Sequence, residues 1–460
     1  MSRTDTMTSK HTPRAPGRTS TARWALATAA LCLFVSHPAM AQDGSADEAT
    51  VGAVREVKLG RGRPRLITAA RPSDRAQVVV QFQTGAFDDG LVWGLSRVAQ
   101  HTMLFANRAG SGKQLITDVF DAGGSLQVSV GVRRTRFVLE APKAAMPKLS
   151  KRLFKLLFDF TPNPSRFNYV LQLSKNERVE SGGATDAESF IAGSTIFMEG
   201  GEGGNEYNNP LYPDTDGLRR LRMFSVTEHI DAKMRPANAT VVATGGVSVS
   251  KLKRDLKRYS GGKRRGLQRP DLTAALPMSV QRAARRDIIM QAQLVDLSTP
   301  EKQAAAKLLT SMLQEQSMWQ LRKKGMTYST SAELVSREWM DYIIVTVPIS
   351  ESSKAPVRPA LSDINRSFAS KWFKPELLER HREHVVRAML AADRDPAQLG
   401  AMLADTAPTK AHHSAATLSA VRAMSADRFQ ALVKPWLDAS ASITVAFGPE
   451  LQSRTRTGTR

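Results

Sequence analysis

The chain has 460 residues, of which 42% are hydrophobic and 23% are charged, and its formal net charge at pH 7 is +22. This length and ordinary aliphatic content support one large domain or two smaller ones. They exclude a wholly disordered chain, a collagen, a long coiled coil and a polytopic membrane protein. Because the basic residues are dispersed along the sequence, the positive charge favours solubility and weak surface attraction, and it does not predict nucleic-acid binding.

Residues 1–41 have the features of a cleaved secretory signal. A basic lead precedes the apolar run from Trp24 to Ser36, which is too short to span a bilayer, and Ala39-Met40-Ala41 has the pattern of a signal-peptidase site. We therefore predict a periplasmic or secreted protein without stable membrane insertion after cleavage; the alternative is an uncleaved membrane anchor. Cys32, the single cysteine, lies inside the signal, so the mature protein is predicted to lack disulfides and thiolate metal ligands.

The first part of the mature chain alternates strands and helices. Residues 42–52 are small and polar, which predicts a flexible lead-in. A run of β-branched residues from Ala76 to Phe82 predicts a strand. A helix is predicted after it, because apolar and small residues recur there at helical spacing: Leu95, Val98, Ala99, Thr102 and Ala106. The pattern next predicts a turn at Gly123-Gly124, two strands within residues 126–139, a helix over 149–160, a longer helix from about Phe167 and a loop at Glu199 to Asn209.

The order of elements recurs in the second half. In each half, a serine is predicted to cap a helix, and a strand that ends in glycine follows that helix. In the first half the helix covers Ser225 to Met234 and the strand Ala239 to Gly245. In the second half the helix covers Ser425 to Val433 and the strand Ser442 to Gly448. Asp287 to Leu294 likewise takes the place of the strand at Ala76 to Phe82. This internal repeat predicts two copies of one α+β unit.

The composition between the two copies suggests where each begins and ends. We place the first domain at residues 53–259, a basic linker containing Gly and Pro at 260–277, the second domain at 278–453, and a basic tail at 454–460.

Several short blocks resemble the pitrilysin/insulinase family of zinc metallopeptidases, which includes the mitochondrial processing peptidases. The similar residues are Gly85, Asp88 and Asp89, the run Gly94 to Phe105, Pro210-Leu211-Tyr212, Arg235 to Thr240, and Leu321 to Ser329. The resemblance extends over the whole mature chain. It implies an α+β fold of two homologous domains, each a mainly antiparallel sheet packed with helices.

The zinc signature of that family is degenerate here. In His-x-x-Glu-His, two imidazoles one helical turn apart bind Zn²⁺, and the Glu takes a proton from the metal-bound water. The matching residues are Arg97, Gln100 and His101. An arginine cannot ligate a cation and a glutamine cannot act as a general base, so the resemblance implies no catalytic residues and no bound cofactor in this chain.

The third ligand of the family is a Glu further along the chain, which the resemblance places at Glu177 or Glu180. Either one would leave an incomplete zinc site with His101. We instead expect His101 to hydrogen-bond to Gln100 or Glu177, and Glu177 to form an internal ion pair with Arg97 that holds two helices together. Elsewhere, the histidines at 229, 381, 384, 412 and 413 are predicted to be solvated.

The second half keeps one feature of the family intact. Ser298-Thr299-Pro300 opens a predicted helix with Arg322 in its last turn; Gly325 ends the helix, and Tyr328 begins the next strand. The resemblance implies that Arg322 and Tyr328 hold a substrate main chain. The alternatives are a cation favoured at a helix C-terminus and a half-buried strand residue.

These observations predict an exported, non-catalytic homologue of a zinc metallopeptidase. Its partner would be an active relative that supplies zinc, and the two chains together would enclose a peptide substrate. The alternatives are a stand-alone metallopeptidase with an altered site and a peptide-binding scaffold protein.

Overall fold

The structure is a computed structural model that describes residues 54–90, 92–131, 133–181, 215–264, 278–283, 287–336, 341–349, 354–370, 374–406, 414–438 and 442–448. The predicted signal, lead-in and C-terminal tail lie outside these residues, as do the Glu199 to Asn209 loop, Pro210-Leu211-Tyr212, most of the linker and His412-His413. Within the described ranges, no helix has the length and apolar character needed to cross a membrane.

A six-stranded sheet with helices forms the first half. Its strands are β1 (Arg55–Val57), β2 (Arg65–Ala70), β3 (Arg75–Phe82), β4 (Ser125–Val130), β5 (Thr135–Pro142) and β6 (Ala239–Gly245). Its helices are α1 (Leu95–Phe105), α2 (Gly112–Asp121), α3 (Met146–Phe158), α4 (Phe167–Ser181), α5 (Thr215–Arg220), α6 (Met223–Lys233) and α7 (Val249–Leu256). The strand order is β1-β2-β6-β3-β5-β4, and among the described strands of this sheet only the β2–β6 pair is parallel.

A five-stranded sheet organises the second half. Its strands are β7 (Met278–Ala283), β8 (Ile288–Val295), β9 (Ser331–Ser336), β10 (Asp341–Pro348) and β11 (Ser442–Gly448). Its helices are α8 (Pro300–Lys323), α9 (Lys354–Ala369), α10 (Pro375–Arg394), α11 (Pro396–Thr406), α12 (Ser414–Ala423) and α13 (Ala426–Val433). The strand order is β7-β11-β8-β10-β9, with β7 and β11 parallel.

The two sheets repeat one topology. In each sheet, the last strand in sequence, β6 or β11, lies between a parallel neighbour, β2 or β7, and an antiparallel neighbour, β3 or β8. Two further antiparallel strands extend the sheet beyond β3 or β8. The first long helix, α1 or α8, follows the strand at the centre, β3 or β8. The repeat therefore confirms the predicted α+β class with two homologous, mainly antiparallel units. The described residues belong to one compact unit, and the predicted domain boundaries remain predictions.

The burial of the strands and helices explains why the sequence pattern predicted several of them correctly. The central strands β3 and β6 are buried on both faces, which agrees with their continuous β-branched runs. Helices α1 and α3 cover one face of the first sheet, where Val78, Val80, Val98 and Leu153 share a core. The predicted strand pair before α3 and the predicted helix over 149–160 are confirmed as β4, β5 and α3.

Two features depart from the predictions in the first half. Helix α2 was not predicted, because its buried stripe contains only Leu115 and Val119 together with Gly112 and is too short for a clear period. The expected cap at Ser225 is wrong, since α6 begins two residues earlier at Met223. Ser225 lies in the first turn of that helix, where backbone N–H groups have no intrahelical acceptor in any case.

Helix α11 from the second half covers the other face of the first sheet. Leu399 and Leu403 pack there against Ile67, Val79 and Val242. At one end, the Thr244 hydroxyl donates to the carbonyl of Pro396 at 2.6 Å. Ion pairs flank the contact, joining Arg71 to Asp393 at 2.9 Å and both Arg134 and Arg136 to Asp405. This helix therefore fastens the two halves together.

Candidate functional site

Helix α1, which carries the degenerate zinc signature, is anchored at its N-terminus by Asp89. The Asp89 carboxylate accepts hydrogen bonds from the backbone N–H groups of Gly94 at 2.9 Å and Ser96 at 2.7 Å. These two donors belong to the end of the helix that has free N–H groups. Burial raises the pKa of Asp89 to about 7, and these hydrogen bonds only partly oppose it.

All three residues of the degenerate signature are buried, because α4 and α6 pack on the faces of α1 that do not contact the sheet core. The Arg97 Nε lies 3.3 Å from Glu177 Oε2 on α4, and the His101 Nε2 lies 2.9 Å from the same oxygen. The Arg97 Nη1 donates to Gln100 Oε1 at 3.2 Å. The expected contacts of Glu177 with Arg97 and with His101 are therefore confirmed.

The arrangement does not fit the zinc ion that the resembled family binds. The permanently charged Arg97 guanidinium contacts the carboxylate that would have to face the metal, and it would repel a cation from that position. Among the described side chains of this cluster, only His101 and Glu177 could act as ligands, and they are hydrogen-bonded to each other. Among the residues that the structure describes, no three side chains of His, Cys, Asp and Glu converge as a metal site.

Charge at the site favours the ionised carboxylate of Glu177. Burial by itself would raise the pKa of Glu177, but the hydrogen bond from His101 and the charges of His101 and Arg97 outweigh it and lower the pKa below its usual value. The Glu177 side chain is 26% exposed, so these neighbours act with limited solvent screening. The cluster can hold α1 and α4 together.

The second candidate for the third family ligand, Glu180, lies on α4 near the end of the described helix, and its side chain is outside the described residues. The structure places Glu177 against His101.

The second half contains a similar polar contact between two of its helices. On α8, which matches α1, the Glu315 Oε2 lies 2.9 Å from His381 Nε2 on α10. The Ser311 hydroxyl lies 2.8 Å from the other ring nitrogen of His381. A contact between a histidine and a glutamate therefore joins two packed helices of this chain at a place that has no zinc signature.

The prediction of solvated histidines is wrong at two positions. His229 on α6 is buried and its Nε2 lies 3.2 Å from the Ser96 hydroxyl, and His381 is buried between Ser311 and Glu315. Both histidines fill polar gaps between packed helices, which helical period alone does not reveal. His384 is exposed as predicted.

Arg322 lies in the last turn of α8, as predicted, and its side chain is exposed. Gly325 follows with φ of 69°, and the Met326 N–H donates to the carbonyl of Leu321, which closes the helix as a C-terminal glycine motif. The prediction that Tyr328 begins the next strand is wrong, because β9 starts at Ser331. Tyr328 lies in the connecting loop, 86% exposed, so the alternative of a half-buried strand residue is also wrong.

No family model matches the chain, and no curated protein matches its sequence. Solved structures do match its fold. The peptidase M16 inactive domain from Pseudomonas fluorescens aligns with a TM-score of 0.71 at 13% identity, covering 86% of this chain and 98% of that one. A protease from Helicobacter pylori aligns with a TM-score of 0.72 at 12% identity, covering 86% of this chain and 99% of that one.

The first half of the periplasmic protease PqqL from Escherichia coli also aligns, with a TM-score of 0.65 at 12% identity, covering 87% of this chain and 93% of that one. Identities this low show a shared fold and leave the activity open. The chain has the fold of the M16 peptidases, which confirms at the level of the fold its resemblance to the pitrilysin/insulinase family.

Proposed function

We propose that the protein is an exported, non-catalytic homologue of a zinc metallopeptidase that pairs with an active relative and helps to enclose its peptide substrate. The observation that carries this proposal is the double contact of Glu177 Oε2, with Arg97 at 3.3 Å and His101 at 2.9 Å. These contacts use the carboxylate and the imidazole that an active site would turn toward zinc. With Gln100 in place of the general base, peptide hydrolysis has to be supplied by another chain.

The exposed pair Arg322 and Tyr328 gives such a protein a means of contributing to the reaction. The Arg322 guanidinium can donate to peptide carbonyls in a fixed fork, and the Tyr328 hydroxyl adds a second donor. Both side chains are exposed, with Arg322 in the last turn of α8 and Tyr328 in the connection that follows it. A peptide main chain held by this pair would be presented to the zinc site of the partner.

Export is supported by the basic lead, the apolar run and the Ala39-Met40-Ala41 pattern within residues 1–41. One structural neighbour is described as a periplasmic protease and another as an inactive domain. We propose a periplasmic or secreted location on these grounds.

Two other functions make different demands on the chain. A stand-alone metallopeptidase needs a replacement ligand and base, and the described residues around His101 supply neither. A free-standing peptide-binding scaffold needs no catalytic partner, so a search for that partner separates it from the proposed function.

The test is a copurification of the tagged protein from its native cells, followed by mass spectrometry. We expect a fold relative with an intact His-x-x-Glu-His signature to be recovered in a fixed ratio, and we expect the complex to cleave unstructured peptides. A tagged exported protein of another fold is the control. Repeated recovery of the chain alone, or with partners that lack the signature, would contradict the proposed pairing.

A further inference from the structure

Folding gathers basic residues that are dispersed in the sequence. Helix α3 exposes Lys148, Lys151, Arg152 and Lys155, and the packed helix α7 and the residues after it expose Lys251, Lys253, Arg254, Lys257 and Arg258. The even spread of charge along the sequence therefore does not describe the folded surface, which carries a strongly cationic region on this side of the first half.

A groove of about 560 Å³ opens within this region. It is lined by Lys148, Lys151, Arg152 and Lys155 of α3, by Arg258 and Tyr259 after α7, and by Asp159 after α3. From Lys148 to Lys155 the helix advances by about 10 Å, so the cations form a row two turns long. The volume lies in the range of small-molecule sites.

Acidic groups offset only part of this charge. Arg152 is paired with Asp118 of α2, Asp159 is exposed at the groove, and Asp255 of α7 is buried nearby. Within the described residues, no carboxylate forms an ion pair with Lys148, Lys151, Lys155 or Arg258. The groove therefore holds a net excess of positive charge on freely accessible donors.

Tyr259 adds a neutral donor to the groove wall. Its ring packs against Phe158 with centroids 5.3 Å apart, which fixes its position. Burial, together with the charges of Asp159 and Asp255, raises the pKa of Tyr259 to about 12. The phenol therefore keeps its proton at physiological pH and can donate a hydrogen bond to an anion.

We propose that the groove between α3 and α7 binds an anion that carries several phosphate groups. A phosphate group presents more charge and more acceptor oxygens than a carboxylate, so several lysines can contact one group and a row of cations can follow a chain of them. The donors needed are side-chain ammonium, guanidinium and phenol groups, all of which line the groove. This inference does not depend on the proposed function.

The phosphates can belong to a soluble polyphosphate or to the headgroups of an anionic lipid. Titration calorimetry with tripolyphosphate tests the first source, and sedimentation with vesicles of phosphatidylglycerol in phosphatidylcholine tests the second. The groove variant is Lys151→Gln with Lys155→Gln. The matched control is Arg387→Gln with Lys434→Gln, which removes two exposed cations of the second half.

We expect the groove variant to bind tripolyphosphate, or the anionic vesicles, at least about tenfold more weakly than the unmodified protein, while the control changes affinity by less than about twofold. Binding of either probe should weaken as salt is raised. The probe that binds identifies the source of the phosphates. Melting curves check that both variants are folded.

Three results would overturn the proposal. The first is no binding of either probe, and the second is an equal loss in the groove and control variants, which would assign binding to overall charge. The third is polyglutamate binding as tightly as tripolyphosphate and with the same dependence on Lys151 and Lys155, which would assign the groove to acidic proteins.

Discussion

At the residue scale, one carboxylate determines what the degenerate site can do. Glu177 joins Arg97 and His101 on the neighbouring helix, and Gln100 completes the cluster through its hydrogen bond with Arg97. Removing one partner of a buried ion pair leaves the other charge uncompensated, whereas the intact pair contributes little net stability. Single substitutions here therefore report on the contact itself.

Arg97→Ala should lower the free energy of unfolding by about 1–3 kcal/mol, because Glu177 loses its permanent counter-charge in a largely buried site. Arg108→Ala, which removes an exposed arginine in the loop after α1, is the matched control and should change stability by less than about 0.5 kcal/mol. Denaturant unfolding of Arg97→Ala, Glu177→Gln and the double variant measures the coupling. Strictly additive losses would show that the two side chains do not interact.

The pH dependence of stability should reveal the lowered pKa of Glu177. A carboxyl group with a lower pKa in the folded state stabilises that state above its unfolded pKa, and this contribution is lost as the pH falls through the folded value. The stability difference between the unmodified protein and Glu177→Gln should therefore be largest near neutral pH and shrink below about pH 4.5. Unfolding curves from pH 3 to 7 test this; a difference that is constant over the range would contradict it.

At the scale of elements, the contact of α11 with the first sheet joins the two halves. The helix begins at Pro396 directly over the end of β6, where Gly245 has φ of 75°. A Cβ atom at position 245 would lie 2.5 Å from the carbonyl oxygen of Arg75 and 2.7 Å from the Pro396 ring. Gly245 is thus required both by the backbone conformation and by the close approach of α11.

Gly245→Ala should destabilise the protein by about 2–4 kcal/mol, since it combines backbone strain with a clash against backbone and ring atoms. Gly123→Ala is the control: Gly123 has φ of 72°, but nothing lies within 4 Å of its added Cβ. That variant should lose only about 1 kcal/mol, the cost of the conformation alone. Equal shifts in melting temperature for the two variants would contradict a close contact between α11 and β6.

Local signals explain which elements could be predicted from the sequence. Continuous β-branched runs identified β3, β6 and β11, and the cap and proline at Thr299-Pro300 identified the start of α8, because each of these signals acts within a few residues. The contact of Arg97 with Glu177 was predicted from the family resemblance, which placed both residues at one site, together with the expectation that opposite charges there would pair.

Long-range packing explains what could not be predicted. The polar partners of His229 and His381 lie on helices distant in sequence, and the position of α11 on the first sheet depends on the second half of the chain. Likewise, the cationic groove forms only when α3 and α7 pack together. The hydrophobic period and the composition of the sequence carry no information about which distant elements pack against each other.

At the scale of the whole molecule, the two halves have the same topology but keep different parts of the motifs of the resembled family. The first half keeps the helix of the zinc site without its chemistry, and the second half keeps an exposed Arg322 and Tyr328. Under the proposed function, a protein with this division would position a substrate for a zinc site on another chain.

In the reconstituted pair, Arg322→Ala should lower kcat/KM for peptide cleavage by about one to two orders of magnitude, because charge-assisted hydrogen bonds to the substrate are lost. Tyr328→Phe removes only a hydroxyl and should cost less. Lys323→Ala, at the next and also exposed position, is the control for loss of charge. Size-exclusion chromatography must show normal assembly. Unmodified turnover by assembled Arg322→Ala and Tyr328→Phe pairs would assign Arg322 to stabilisation of the end of α8.

The most direct test of the central claim is the zinc content of the purified protein, measured by elemental analysis after incubation with zinc and gel filtration. The unmodified chain should retain well below one zinc per molecule, since Arg97 and Gln100 replace a ligand and the base. Arg97→His with Gln100→Glu restores His-x-x-Glu-His beside Glu177 and should raise zinc retention toward one per chain. Retention of about one zinc by the unmodified chain, with proteolysis that a chelator abolishes, would contradict a non-catalytic role.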